Sequence, residues 1–323
     1  MMKKIFYSIL ALVSCLSMTS CSSGDPEFDD FDYQTVYFAS NVTLRTLELG
    51  RDKEVDLTMD NQHKVRITAT MGGSYGNKRD ITVNIAVDPT LCEGKVFADK
   101  TPMTVMPSSH YKLADSKIVI PAGQILGGVE VELTDAFFND PKSLSNNYVI
   151  PVKMTSLVSG ADSILEKKNF VLYAVKYVNP WHAEYLRRGE DVLTTPAGTK
   201  TLVRKADYIE RDEAIKLVTT GYMTDLMTVV IKDDNGKDVN VPLQLTFNND
   251  GKCTVSGGAE GITASGSGSF VIDGEKKAIN GEDRDVLYLD YEFSIPSKGI
   301  SCKTKDTLVL KIRGIKPEYM TLE

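Results

Sequence analysis

Three histidines, His63, His110 and His182, are all this chain offers for imidazole chemistry. They are widely separated in sequence, so a histidine-based metal site or a Ser-His-Asp triad has few candidates. Gly72-Gly73-Ser74-Tyr75-Gly76 carries the Gly-x-Ser-x-Gly letters of a nucleophile elbow. That motif needs a helix after the turn, and here an alternating strand from Asp80 follows, which makes the stretch a hairpin loop. Ala264-Ser265-Gly266-Ser267-Gly268-Ser269 lacks the following helix that a phosphate cradle requires, and it suits a barrel corner where side chains must be small. No catalytic residue, metal or cofactor is expected.

Binding chemistry is better represented. A sugar presents a face of C–H groups to stack on an aromatic ring and hydroxyls for polar side chains. Trp181, the single tryptophan, adjoins His182 and stands near Tyr185, Arg187 and Arg188, and this is the best candidate cluster. A tryptophan directly after an interdomain proline, with a tyrosine four residues on, more often plugs a domain junction or barrel end than holds a ligand. Tyr75, lifted by glycines at a loop tip, is a second ligand candidate. Past Cys15 and Cys21 only Cys92, Cys253 and Cys302 remain, too few and scattered for a disulfide framework or a zinc site. Cys253 and Cys302 could form a disulfide in an oxidising compartment or stay as buried thiols in their strands.

The elements that must position these residues are strands. From Thr35 to Tyr177 short alternating runs are punctuated by turns. Ile81, Val83, Ile85 and Val87 fall on one face of a strand that Asp88-Pro89 must stop. Further strands are read at 35–39, 64–70, 117–123, 128–133 and 148–154, with 169–177 apolar enough to be central. Leu91 to Tyr111 is a longer connection. About seven strands, each with one solvated face, predict an antiparallel immunoglobulin-like sandwich over 33–178. Pro180 marks a boundary. After it, strand-like runs joined by Asp234-Asn235-Gly236 and Asn249-Asp250-Gly251 hairpins predict a meander over 179–323 that closes as a small barrel. Asp212 to Val218 is read as a short helix. The fold class is all-β.

The first thirty residues speak of location. Lys3-Lys4, an apolar stretch from Ile5 to Leu16, and Met18-Thr19-Ser20 before Cys21 form a lipoprotein signal, with residues 1–20 removed and Cys21 acylated. Leu12-Val13-Ser14-Cys15 competes as a cleavage site, but cutting there would leave a very short apolar core. The apolar run is shorter than the ~20 residues of a membrane-spanning helix. Residues 21–32 form an acidic tether, expected to be flexible. A net charge of −7, with both signs interspersed beyond the tether, carries no nucleic-acid footprint.

These pieces together resemble a known group. The lipobox, Thr35-Val36-Tyr37-Phe38-Ala39, the Ile67-Thr68-Ala69-Thr70 strand before Gly72-Gly73, Asp80-Ile81-Thr82-Val83 and Ile120-Pro121-Ala122-Gly123 look like Bacteroidota surface lipoproteins. These carry an N-terminal immunoglobulin-like domain of unknown function and are typically encoded in glycan-utilisation loci. Asn179-Pro180-Trp181-His182, Arg187-Arg188-Gly189 and the run from Asp306 to Gly314 resemble a C-terminal lipocalin-like partner domain. The resemblance implies a non-catalytic binding protein in the outer membrane, facing outward on a lipid at Cys21, with a polysaccharide or host glycan as ligand. The alternative it leaves open is a structural or adhesion lipoprotein with an outer-membrane or host protein as partner. Asp285-Val286-Leu287-Tyr288-Leu289-Asp290-Tyr291-Glu292 also resembles the family-18 glycoside hydrolase signature, in which the final Glu is the acid. That chemistry needs a (β/α)8 barrel of ~250 residues, and a period-2 strand accounts for the string. Asp162-Ser163-Ile164 and Asp306-Thr307-Leu308 match a short O-glycosylation pattern of these bacteria.

Overall fold

The computed structural model describes residue 31 and residues 33–320. The signal, Cys21 and all of the tether except Phe31 lie outside the described residues. The first part of the chain folds through β1 (Thr35–Tyr37), β2 (Val42–Glu48), a turn of helix α1 (Thr58–Asn61), β3 (Lys64–Gly72) and β4 (Ile81–Val87). It continues through β5 (Thr104–Val105), β6 (Tyr111–Leu113), β7 (Lys117–Ile120), β8 (Leu126–Leu133) and α2 (Asp135–Phe138), then β9 (Tyr148–Ser159), β10 (Ser163–Ile164) and β11 (Phe170–Val178).

These strands build two stacked sheets, one in the order β10-β1-β3-β8-β6 and the other β2-β11-β9-β4-β7, with β5 beside β9. Alternation drives the packing: Ile81, Val83 and Ile85 of β4 meet Val65, Ile67 and Ala69 of β3 in one buried core. β11 is covered on both faces. Val171, Tyr173 and Val175 enter the sandwich core, while Leu172 and Ala174 pack under Phe97 and Met103 of the 89–106 connection. This double burial is why residues 169–177 read as a continuous apolar run. The sandwich departs from the fully antiparallel reading at three pairings, β1 with β10, β2 with β11 and β5 with β9. The first two arise because one stretch of chain changes sheets, with buried Phe38 at the crossing between β1 and β2.

The second part runs β12 (Ala183–Thr195), β13 (Gly198–Arg204), β14 (Glu213–Gly221), β15 (Thr224–Lys232) and β16 (Asp238–Phe247). It ends with β17 (Lys252–Gly257), β18 (Thr263–Ile279), β19 (Glu282–Ile295) and β20 (Ile300–Ile312). Neighbours in this sheet pair antiparallel, and the pairing of β12 with β20 closes eight strands into a barrel, leaving β13 as a flap on the far half of β12. Gly236 and Gly251, both at φ +75°, hold the two hairpins that Asn-Gly and Asp-Gly signal. The stretch read as a helix, Asp212 to Val218, is instead mostly β14. Ile215 and Leu217 are buried while Ala214, Lys216 and Val218 are exposed, a two-residue period that only a strand satisfies.

The junction between sandwich and barrel is tightly bonded. Asn179 is fully buried, and its side-chain nitrogen donates to Asp225 Oδ2 at 2.7 Å and to the carbonyls of Thr224 and Gly221 at 3.1 and 3.2 Å. Its side-chain oxygen accepts from the backbone N–H groups of Trp181 and His182, each at 3.1 Å. Tyr222 of the barrel reaches the sandwich, where its ring lies 5.3 Å from that of Phe138 and 6.0 Å from that of His63.

Candidate functional site

The residues singled out beside Pro180 turn inward. Trp181 is 6% exposed and stacks on Phe247 with ring centroids 3.9 Å apart. The Tyr185 hydroxyl donates to the Trp181 carbonyl at 2.8 Å, and that side chain is fully buried. His182 accepts the Thr219 N–H at Nδ1, and burial pushes its imidazole down to about 4, with Arg313 and Lys216 adding to the effect. The ligand reading of Trp181, His182, Tyr185 and Arg187 is therefore corrected. The cluster plugs one end of the barrel and its linker, because an indole and a phenol gain more from the apolar interior than from a wet surface. Tyr75 stands apart from it, 77% exposed at the far end of the sandwich.

Arg187 belongs to a charge cluster inside the barrel wall. Its Nε donates to Asp306 Oδ2 at 2.9 Å, the Tyr291 hydroxyl donates to the same oxygen at 2.9 Å, and Arg204 donates to Asp306 Oδ1 at 2.8 Å. Arg204 also grips Asp191 through two hydrogen bonds of 2.8 Å, and Thr304 donates to that carboxylate. Burial raises the Asp191 carboxyl, but Arg204, Thr304 and Arg187 outweigh it and hold it below the usual range. With two guanidiniums facing two carboxylates the cluster is internally neutralised, so it serves structure. It also occupies Asp306 of the second O-glycosylation tripeptide.

Cys253 and Cys302 are free, buried thiols, and the proposed bridge between them is not formed. Burial pushes them to about 12 and about 11. Among the described residues no group of three or more His, Cys, Asp or Glu is placed to hold a metal ion. Ser109, His110 and Asp140 do line up, with Ser109 Oγ 3.1 Å from Nδ1 and Asp140 Oδ2 3.1 Å from Nε2. Asp140 is already engaged, accepting from Tyr148 at 2.6 Å and from the Lys142 N–H at 2.9 Å, where it caps a short 3-10 turn. The hydrolase-like string is strand β19. Asp285 faces Arg51 and the Asp273 N–H at one end, while Asp290 and Glu292 point outward beside Lys305 and Lys303 at 3.8 Å.

The feature that sequence reasoning missed is the outer face of the barrel. A groove of about 1140 Å³ crosses β16 to β20, β12 and β13. Its centre is one continuous cross-strand row: Thr246, Thr254, Ser267, Asp290, Lys305, Glu190 and Val203, each paired with the next. The neighbouring row sets Ser269 beside Tyr288 and Tyr288 beside Thr307, and the Tyr288 ring is 40% exposed. On the other side Ser265, Glu292, Lys303, Val192 and Thr201 form a third row, and the first four of these line a second hollow of about 480 Å³ on the same sheet face. Gly266 and Gly268 occupy the inward positions of β18, where its backbone lies close over β19 and leaves only the serines facing outward. A Cβ there would come within 2.4 Å of Tyr291 Cβ or Leu289 Cδ2. The signal for this face was the alternation of Ser with Gly through 265–269, opposite the alternation of Tyr288, Asp290 and Glu292 with buried Leu289 and Tyr291. Chemically the face offers hydroxyls, carboxylates and ammonium groups in solvent around one aromatic ring. Its exposed Asp290–Lys305 pair is weak enough to exchange for a ligand.

Residues 180–314 match the model of a domain of unknown function (DUF5627), and residues 31–160 match a model described as an N-terminal domain. Among solved structures, a Bacteroides ovatus protein of unknown function is 46% identical, covering 89% of this chain and 97% of its own, with a TM-score of 0.85. The chain belongs to that protein's family. A second B. ovatus protein of unknown function is 15% identical over 90% of this chain and 99% of its own, with a TM-score of 0.42. An auxiliary nutrient binding protein from Bacteroides thetaiotaomicron is 17% identical over 84% and 91%, with a TM-score of 0.39. Likeness at those two scores carries no functional argument. No curated protein matches the chain. In this chain the barrel groove is the candidate site.

Proposed function

We propose that this protein is a non-catalytic binding protein, held by a lipid on Cys21 at the outer face of the outer membrane, that captures a polysaccharide or host glycan on the outer face of its barrel. The observation that carries the reading is the groove at Tyr288. A half-exposed ring lies among Ser267, Ser269 and Thr307, with Asp290, Lys305 and Glu190 in the adjoining row. A pyranose laid on the ring would stack its C–H face there, and its hydroxyls would find both donors and acceptors within the rows. Carboxylates interleaved with lysines suit an uncharged polyol better than a phosphate-rich chain. The length of the groove, seven strands with a second hollow beside it, suits an extended oligosaccharide more than a single sugar.

The test is a glycan array probed with the chain starting at Ser22, alongside Tyr288→Ala and Asp290→Ala/Lys305→Ala. Binding to one glycan class that both variants lose supports the reading. Binding that survives both moves the site elsewhere, and a blank array with a co-purifying membrane protein replaces the glycan by a protein partner. Any bound glycan is expected to remain uncleaved, and chain shortening that Glu292→Gln abolishes would replace the reading with hydrolysis.

A further inference from the structure

We propose that the end of the sandwich where the N-terminal segment enters rests on a lipid bilayer, with Tyr33, Tyr75, Ile125, Leu126 and Val158 in the interfacial layer. The inference rests on the lipid-anchor reading of Cys21.

The strand register gathers these side chains at one end. Thr35 pairs with Gly72, Thr70 with Leu126, Ile81 with Ile120, and Thr82 with Ser159, so the loops at 73–80, 121–125 and 160–162 all leave the sheets on the same side. Hydrogen bonds lash them into a platform. Gln34 donates from its backbone to Asp162 Oδ2 at 2.7 Å and from its side chain to the Gly76 carbonyl at 3.2 Å. Asn77 donates to the carbonyls of Ile120 and Pro121 at 3.2 and 2.9 Å, and Asp80 accepts the Ala122 N–H at 2.8 Å.

Where it faces solvent the platform carries five large apolar or aromatic side chains among the charged and polar Lys78, Arg79, Asp80, Gln124 and Asp162. Tyr33 is 60% exposed, Tyr75 77%, Ile125 55%, Leu126 56% and Val158 51%, five large side chains that the register brings to one end of the sandwich. Tyrosine with aliphatic neighbours is the composition of a membrane–water interface, and the exposed Lys78 and Arg79 can lift their charges to the headgroups.

The position of the N-terminal segment selects the bilayer as occupant. Cys21 and Tyr33 are twelve residues apart, a span of at most ~43 Å when fully extended. The opposite end of the sandwich, at Glu48 and Val178, leads into the barrel. An anchor on Cys21 therefore keeps the bilayer within that span of Tyr33 at the platform, while the barrel joins the sandwich at its opposite end.

The test couples the mature chain through Cys21 to a maleimide lipid in vesicles of phosphatidylethanolamine and phosphatidylglycerol, the other thiols being buried. Amide hydrogen exchange is then compared between tethered and free protein. Slower exchange at 73–79 and 121–126 upon tethering, abolished by Tyr75→Ser/Ile125→Ser/Leu126→Ser, is expected, with the barrel unchanged. Unchanged exchange in these loops, or protection that the triple variant keeps, overturns the proposal. The anchor is tested separately by palmitate labelling in cells with Cys21→Ser. Label retained in that variant removes the anchor reading, while the vesicle result reports on the platform alone.

Discussion

Arg313 donates from Nη2 to the carbonyl of Leu49 in the sandwich at 2.9 Å, and from the same nitrogen to the carbonyl of Asn179 at 3.1 Å. Its Nη1 donates to the Pro180 carbonyl. One buried guanidinium thus ties the loop after β2, the linker and the exit of β20 together. Arg313→Ala should orphan three carbonyls and cost roughly 3 kcal/mol or more, read as a lower urea midpoint. Arg313→Lys should recover little of it, because one ammonium cannot span the three acceptors.

Asp225 predicts a pH dependence. Burial raises its carboxyl to about 7, against the weaker lowering effects of the Asn179 hydrogen bond and the Arg313 charge. The fold keeps a proton that the unfolded chain releases near its ordinary value of 3.8. The contribution to stability is full below that value and is lost as pH rises through about 7. Asp225→Asn should therefore match the parent near pH 4 and exceed it increasingly toward pH 8, by up to about 4 kcal/mol in denaturant titrations.

Asp306 pairs with buried Arg187 and part-buried Arg204. Asp306→Asn should leave these two with Asp191 and the more exposed Glu213, which lies 3.5 Å from Arg187, and cost roughly 3–5 kcal/mol. Thermal unfolding measures the loss.

Tyr288 and Trp181 should separate binding from folding. Tyr288→Ala should abolish glycan capture while moving stability by no more than about 0.5 kcal/mol. Trp181→Ala removes a stacked core ring and should cost about 3–5 kcal/mol. Binding and calorimetry on the same two preparations check both.

The three thiols should be silent. Cys92, Cys253 and Cys302 are buried and raised to about 11, 12 and 11, so folded protein that starts at Ser22, without Cys21, should not react with a thiol reagent at pH 8 until denaturant is added. A reductant should leave the melting temperature unchanged.

Much of this architecture was legible because one face of most strands is apolar. Ile81, Val83 and Ile85 announce their face, and the Asn-Gly and Asp-Gly turns announce two hairpins. The reading failed where the inward face is charged. Arg187 and Asp191 of β12 point into the barrel wall, so a thirteen-residue strand reads as a polar segment. It also failed at β14, where Asp212-Glu213-Ala214 mimics the start of a helix. The groove was hidden for a different reason. Its row from Thr246 to Val203 draws on seven strands, and no local stretch contains more than one member of it. The aromatic beside Pro180 drew the eye because it is unique, whereas Tyr288 looks ordinary until register places serines and a threonine beside it.

The barrel closes through the pairing of β12 with β20, the first and last of its strands, with Glu184 opposite Ile312. Synthesis delivers β12 long before β20, so the ring stays open until β20 has emerged. The sandwich, by contrast, can assemble from the residues already made. Arg313 follows β20 directly, so the lock between the two halves also waits for that strand. A chain cut short before Ile300 would present an unclosed sheet edge to its neighbours, which makes premature termination an aggregation hazard rather than a partial loss of function.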